Sequence, residues 1–133
     1  MKKYTELFLL IGHLNLNVKD GKTKGQKKLQ KIAEKVKPIL EKYQELSEDL
    51  RLDNASVDKD GNLLINEKGG YSFTKEAIKK LNQQSRDLNE SSFDFDVIDV
   101  VNPEGLEEFT FLDGWVKGVK FNKIEKEDDN IDL

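Results

Sequence analysis

The chain has no cysteine, which excludes disulfide staples, a thiol nucleophile and any thiolate metal cage, and suits a reducing compartment. Histidine occurs once, at His13, so neither a His-based nucleophilic relay nor a multi-histidine zinc site can be built within one chain. A lone histidine beside an apolar face is more often structural than catalytic. Long apolar runs are also missing: the longest is Leu7 to Ile11, against the roughly 20 residues that span a bilayer. His13, Asn15 and Asn17 follow it where a signal peptide would continue apolar toward a small-residue cleavage site. The protein is therefore expected to be soluble and intracellular where it is made, with no membrane partner. Hydrophobic residues make up 36% and charged residues another 36% of 133 residues, less apolar and more charged than is usual. That length fits one domain, and so little apolar material predicts one that is lean, elongated or partner-dependent.

What is present is unevenly placed. Residues 19–37 carry eight lysines against Asp20 and Glu34, whereas residues 87–113 carry nine acids and no lysine or arginine. A separation of that kind steers association more than it sets a fold.

Helical periodicity appears first at Leu7, Leu10, Ile11 and Leu14, predicting a helix over about 3–14. The alternation from His13 to Val18 leaves a short strand open as its ending, and 19–25 reads as a loop. The clearest pattern follows: Leu29, Val36, Tyr43 and Leu50 lie seven apart, with Ile32, Ile39 and Leu46 interleaved. That 3-4 seam predicts one long helix packed lengthwise on another, kinked at Pro38, which lies off the seam and faces solvent, in preference to two separate helices. Asp60-Gly61, between β-prone stretches, marks a hairpin turn with both central residues at positive φ, and Gly69-Gly70 closes the excursion. A second helix is predicted from the N-cap Thr74 to about Ser91, with Ile78, Leu81 and Leu88 on its apolar face and Ala77 beside them. It should lie antiparallel on the long helix. Phe93-Asp94-Phe95-Asp96-Val97 alternates as a strand with Phe93, Phe95 and Val97 inward, and Asn102-Pro103 ends it. The fold class predicted is mainly α with a small β element: a helical hairpin, a short β-hairpin between its arms, then a strand and an aromatic segment. Residues 1–122 form that single domain, and 123–133, with five acids and two lysines, form an acidic, mobile tail.

Few constellations suggest chemistry. Counted from Ser56, Asp58, Asp60, Gly61, Leu63 and Glu67 fall at EF-hand positions three, five, six, eight and twelve. Ser56 stands where the first carboxylate belongs, and Gly69-Gly70 where the exiting helix should be under way, so a hairpin with solvated acids is the better reading. Asp94, Asp96 and Asp99 are the best remaining support for an enzymatic site, yet alternating acids equally suit a solvated strand. No glycine-rich phosphate loop follows a strand, and no motif implies a cofactor or metal. Lys24, Lys27, Lys28, Lys31 and Lys35 form a basic patch on the start of the long helix, able to neutralise phosphates or to face an acidic segment of protein; no aromatic interleaves to stack on a base. Leu106, Phe109, Phe111, Leu112 and Trp115 form the densest apolar cluster. They either cap the core or, if the hairpin is too thin to cover them, offer a protein-binding patch.

The order of these features, with the stretches KKLQKIAEKVKPILEKYQEL, DKDGNLLINEKGGYSF, KEAIKKLNQQSRDLNES and FDFDVIDV, resembles a group of small proteins of unassigned function encoded by tailed bacteriophages. The resemblance covers about Gln26 to Val101 and brings no active site with it. It implies a viral origin and residence in the host cytoplasm during infection or in the virion. The function expected is non-enzymatic: binding protein partners, including copies of itself, in virion assembly or as a minor virion component. The alternative is a counter-defence protein that occludes a host immune effector or sequesters a nucleotide signal in a lysine-lined cleft between protomers.

Overall fold

The computed structural model describes residues 1–122; the predicted acidic tail lies outside them. Three helices dominate: α1 (Tyr4–Val18), α2 (Lys24–Asn54) and α3 (Lys75–Glu90). Among the described residues four two-residue strands accompany them, β1 (Lys2–Lys3), β2 (Ser92–Phe93), β3 (Ile98–Asp99) and β4 (Val116–Lys117), with a 3-10 turn at Thr110–Leu112. The protein is thus mainly α with a small β element. Its described residues gather into two compact units, one of residues 1–7 and 37–94, the other of 8–36 and 95–122. The boundaries fall inside α1 and inside α2.

α1 runs to Val18, because Leu7, Leu10 and Leu14 are buried at helical spacing and Asn17 Nδ2 donates to the His13 carbonyl at 2.7 Å. The 3.6-residue period thus overrides the two-residue alternation over 13–18. Left-handed Lys19 (φ 48°) and Gly21 (φ 67°) stop the helix, and the Gly21 N–H donates to the Val18 carbonyl. The loop predicted over 19–25 closes earlier, at Thr23, through a capping box. Thr23 Oγ1 accepts from the Gln26 N–H at 3.0 Å while Gln26 Oε1 accepts from the Thr23 N–H at 3.1 Å.

α2 is continuous through Pro38, which is exposed, as its place off the seam predicts. In the first unit its C-terminal half packs antiparallel to α3: Tyr43 Oη donates to Asn89 Oδ1 at 2.5 Å, and Asn54 Nδ2 to Gln84 Oε1 at 2.7 Å. Ile39, Tyr43, Leu46 and Leu50 are half-buried there. Thr74 caps α3 through the Ala77 N–H, as its hydroxyl type predicts. The inward face of α3 is Ala77, Leu81, Gln84 and Leu88; Ile78 is 44% exposed, because the i, i+4, i+7 and i+11 stripe leaves it at the margin. Tyr4 closes this unit, its ring 5.1 Å from Tyr43 and 4.9 Å from Phe93, where β1 and β2 pair antiparallel.

Between α2 and α3 lie two turns of identical construction. Asp58 Oδ1 accepts from the Asp60 and Asn62 N–H groups, and Asn66 Oδ1 from those of Lys68 and Gly70. Each turn ends on a left-handed glycine, Gly61 (φ 85°) or Gly69 (φ 84°). Asp60 is not left-handed, so this is a three-residue loop with a glycine bulge and not the two-residue turn predicted. Ser56, Leu64 and Ser72, eight apart, close a ring of main-chain bonds: Leu64 N–H to Ser56 O, Ser72 N–H to Leu64 O, and Ser56 N–H to Ser72 O. An eight-residue repeat underlies this knot.

In the second unit Leu10, Leu14, Leu29, Ile32, Val36, Leu106, Leu112, Trp115 and Val116 are buried. The strand predicted over 93–97 is interrupted. Phe93 and Phe95 are half-buried, but Val97 is 43% exposed and Ile98 turns inward instead. The alternation slips because pairing passes from β2 with β1 to β3 with β4, the latter parallel, as the chain changes units between Asp94 and Phe95. Gly25, in the first turn of α2, meets the Gly105 carbonyl where a Cβ would stand, and Gly105 (φ 92°) is crowded in turn by the Gly25 backbone. Gly105→Ala is therefore expected to lower stability by about 1–3 kcal/mol. Gly12, within α1, has nothing within 4 Å of an added Cβ, so Gly12→Ala should raise stability by about 1 kcal/mol. Thermal unfolding of the two variants checks both signs.

A candidate binding groove walled by lysines

The second unit contains a groove of about 220 Å³ between the N-terminal half of α2 and residues 98–102. Ile32, Ile98, Val100 and Leu106 give it apolar surface; Lys28, Lys31 and Lys35 stand along its helical side. These lysines occupy successive i, i+3 and i+7 positions, one stripe of a helix. Like charges so placed cost a few tenths of a kcal/mol per pair, and the one acid at this spacing, Glu34 three residues after Lys31, makes no ion pair among the described residues.

The five lysines of the predicted patch have different surroundings. Lys24 Nζ pairs with Glu104 at 3.0 Å, and Lys28 Nζ donates to the Glu104 carbonyl, so these two tie the 102–107 loop to the start of α2. Asn102 Oδ1 accepts from the Glu104 N–H, and Glu107 from that of Gly105. Lys31 and Lys35 are exposed at the groove and make no ion pair among the described residues. Lys27 is exposed and does not line it.

The aromatic cluster is mostly interior. Leu106, Leu112 and Trp115 are buried at 1%, 0% and 5% exposure, so they cap the core and do not form a contact patch. Phe109 and Phe111 are half-buried, 5.9 Å apart, with Phe111 stacked on the His13 ring at 5.0 Å. That contact gives His13 a packing role.

The acidic positions do not converge. Asp94 and Asp99 fall in different units, and Asp99 pairs with Lys117 at 3.4 Å. Among the described residues no group of three or more His, Cys, Asp or Glu side chains could hold a metal ion. In the turn at Ser56, Asp58 is committed to its own backbone; bonds from Asn62 and Asp60 hold its carboxyl below the usual aspartate range.

The strand side of the groove is what the sequence reading missed. Ile98 N–H donates to Trp115 O at 3.0 Å and Val100 N–H to Lys117 O at 2.9 Å. The main-chain groups of Asp99 and Val101 therefore point away from β4, and β3 has no third strand beside it among the described residues. No helix among those residues is long and apolar enough to cross a membrane. No family model, curated protein or solved structure matches the chain.

Glu104 anchors this architecture. The hydrogen bond from Lys24, then the charges of Lys24 and Lys28, hold its carboxyl below the usual range. A depressed pKa contributes stability above the unfolded-state value and loses it as pH falls through the folded one. The melting-temperature difference between the native chain and Glu104→Gln should therefore shrink as pH is lowered from about 6 to about 3. A difference constant across that range would show that the carboxylate charge contributes nothing.

Proposed function

We propose that this chain is a non-enzymatic protein of a tailed bacteriophage that works by binding other protein chains, in virion assembly or as a minor virion component. The groove carries the reading: an apolar floor, an unpaired strand edge and two lysines without an ion pair among the described residues form a surface larger in interaction capacity than the unit itself satisfies. The viral assignment rests on the resemblance of the 26–101 stretch. A tagged chain expressed during infection by its phage should co-purify with a phage structural protein. Lys31→Glu/Lys35→Glu should abolish that capture, while Lys79→Glu/Lys80→Glu on α3 should leave it intact. Equal capture by both variants would remove the groove from the account.

Self-association has its own support. Leu9 and Leu16 on α1 are 68% and 72% exposed, on one face with Gly12, and residues 7–18 contain no charged side chain to oppose a second copy. Light scattering should show an oligomer that Leu9→Glu/Leu16→Glu converts to monomer.

A second reading, counter-defence by sequestering a nucleotide signal, is favoured by the same lysine stripe. It predicts a rise in melting temperature with a cyclic or linear nucleotide, which the protein-binding reading does not.

A further inference from the structure

Resting on the protein-binding reading, we propose that the groove takes an extended acidic segment of the partner protein, added as a strand to the free edge of β3.

The main chain supplies the first half of the case. Ile98 and Val100 spend their N–H groups on β4, so the alternating pattern of a parallel ladder leaves the groups of Asp99 and Val101 on the opposite edge. Val101 is 97% exposed and Val97 43%. Unpaired edges of this kind pair with incoming chains, and main-chain bonds then supply affinity while side-chain pockets supply specificity.

Charge supplies the second half. Lys28, Lys31 and Lys35 share the groove with this edge, and Lys31 and Lys35 make no ion pair among the described residues. Asp99, an acid of the groove lining, is already paired with Lys117. Successive side chains on one face of a strand lie about 6.6 Å apart, and Lys31 and Lys35, four helical residues apart, are offset by about 6 Å. An occupant with acids at alternate positions thus meets successive lysines without leaving the extended conformation. Ile98 and Val100, half-buried over the interior Ile32 and Leu106, take apolar side chains on its other face. No aromatic among the described residues lines the groove to stack on a base, and alternating main-chain donors and acceptors along a strand edge match the backbone of an extended peptide, so a peptide is the better match.

The test uses the full chain and three fluorescent eight-residue peptides: one alternating glutamate and valine, one alternating lysine and valine, and the acidic one N-methylated at alternate amides. The acidic peptide should bind, and the basic one should not. Lys31→Glu/Lys35→Glu should weaken binding about tenfold or more, and N-methylation should weaken it comparably by removing strand bonds. Indifference to N-methylation would overturn strand addition, and absence of binding at millimolar peptide would overturn the acidic class. Displacement of the peptide by micromolar ATP or inorganic phosphate would assign the groove to a small anion. A peptide-free dimer dissociated by Lys31→Glu/Lys35→Glu would assign it to a second copy; either result overturns the proposal. Failure here with groove-dependent capture of a phage protein intact would reject only the acidic strand. Loss of that capture as well would reject protein binding at the groove.

Discussion

A shortage of apolar residues, resolved by one 31-residue helix, governs this molecule. The seam of α2 serves two cores. Leu29, Ile32 and Val36 are buried at 0%, 4% and 2% exposure in one unit, while Ile39, Tyr43, Leu46 and Leu50 remain half-buried in the other. The difference reflects what each half meets. Leu10, Leu14, Leu106, Leu112 and Trp115 close over the first part, whereas α3 offers Ala77, Leu81 and Leu88 with Gln84 among them. Polar bonds then fix geometry where burial is thin, as Tyr43 with Asn89 and Asn54 with Gln84 do. Glu48 adds another bond of this kind, accepting from Tyr71 at 2.5 Å, which lowers the Glu48 carboxyl and raises the Tyr71 phenol.

Local signals in the sequence are read reliably wherever one residue type meets one backbone need. The 3-4 spacing of α2, the exposed Pro38 and the Thr74 cap are of this kind. Thr23 with Gln26 is an equally local signal, a capping box hidden among lysines, and its spacing alone locates the true start of α2. The two turns are also legible after the fact, since Asp58 and Asn66 lie eight apart and Gly61 and Gly69 repeat the same offset. Their turn class is not, because Asp60 avoids the left-handed region once Gly61 takes it.

Non-local matters are hidden for a physical reason. Nothing in 93–97 reports that the chain changes pairing partner, so strict alternation extends one residue too far and turns Val97 the wrong way. The groove is hidden likewise. Its lysines are visible as a cluster, yet which of them are used up depends on Glu104, some 80 residues from Lys24, and its other wall is a strand edge that only pairing to β4 creates. Aromatic density near 109–115 marks core because Leu112 and Trp115 are buried, with Phe95 against Trp115 and His13 of α1 stacked on Phe111, partners that sequence spacing does not show.

The surface and interior of the second unit thus divide labour: Lys24, Lys28, Gly25 and Gly105 hold the 102–107 loop in place, and Lys31, Lys35 and the outer edge of β3 have no ion pair or strand partner among the described residues. Residue-resolved amide hydrogen exchange on the unbound full chain tests that claim most directly. The account predicts slow exchange at Ile98 and Val100, whose N–H groups are bonded to β4, and fast exchange at Asp99 and Val101. Uniform protection across 98–101 would show that the edge is already covered and would contradict it.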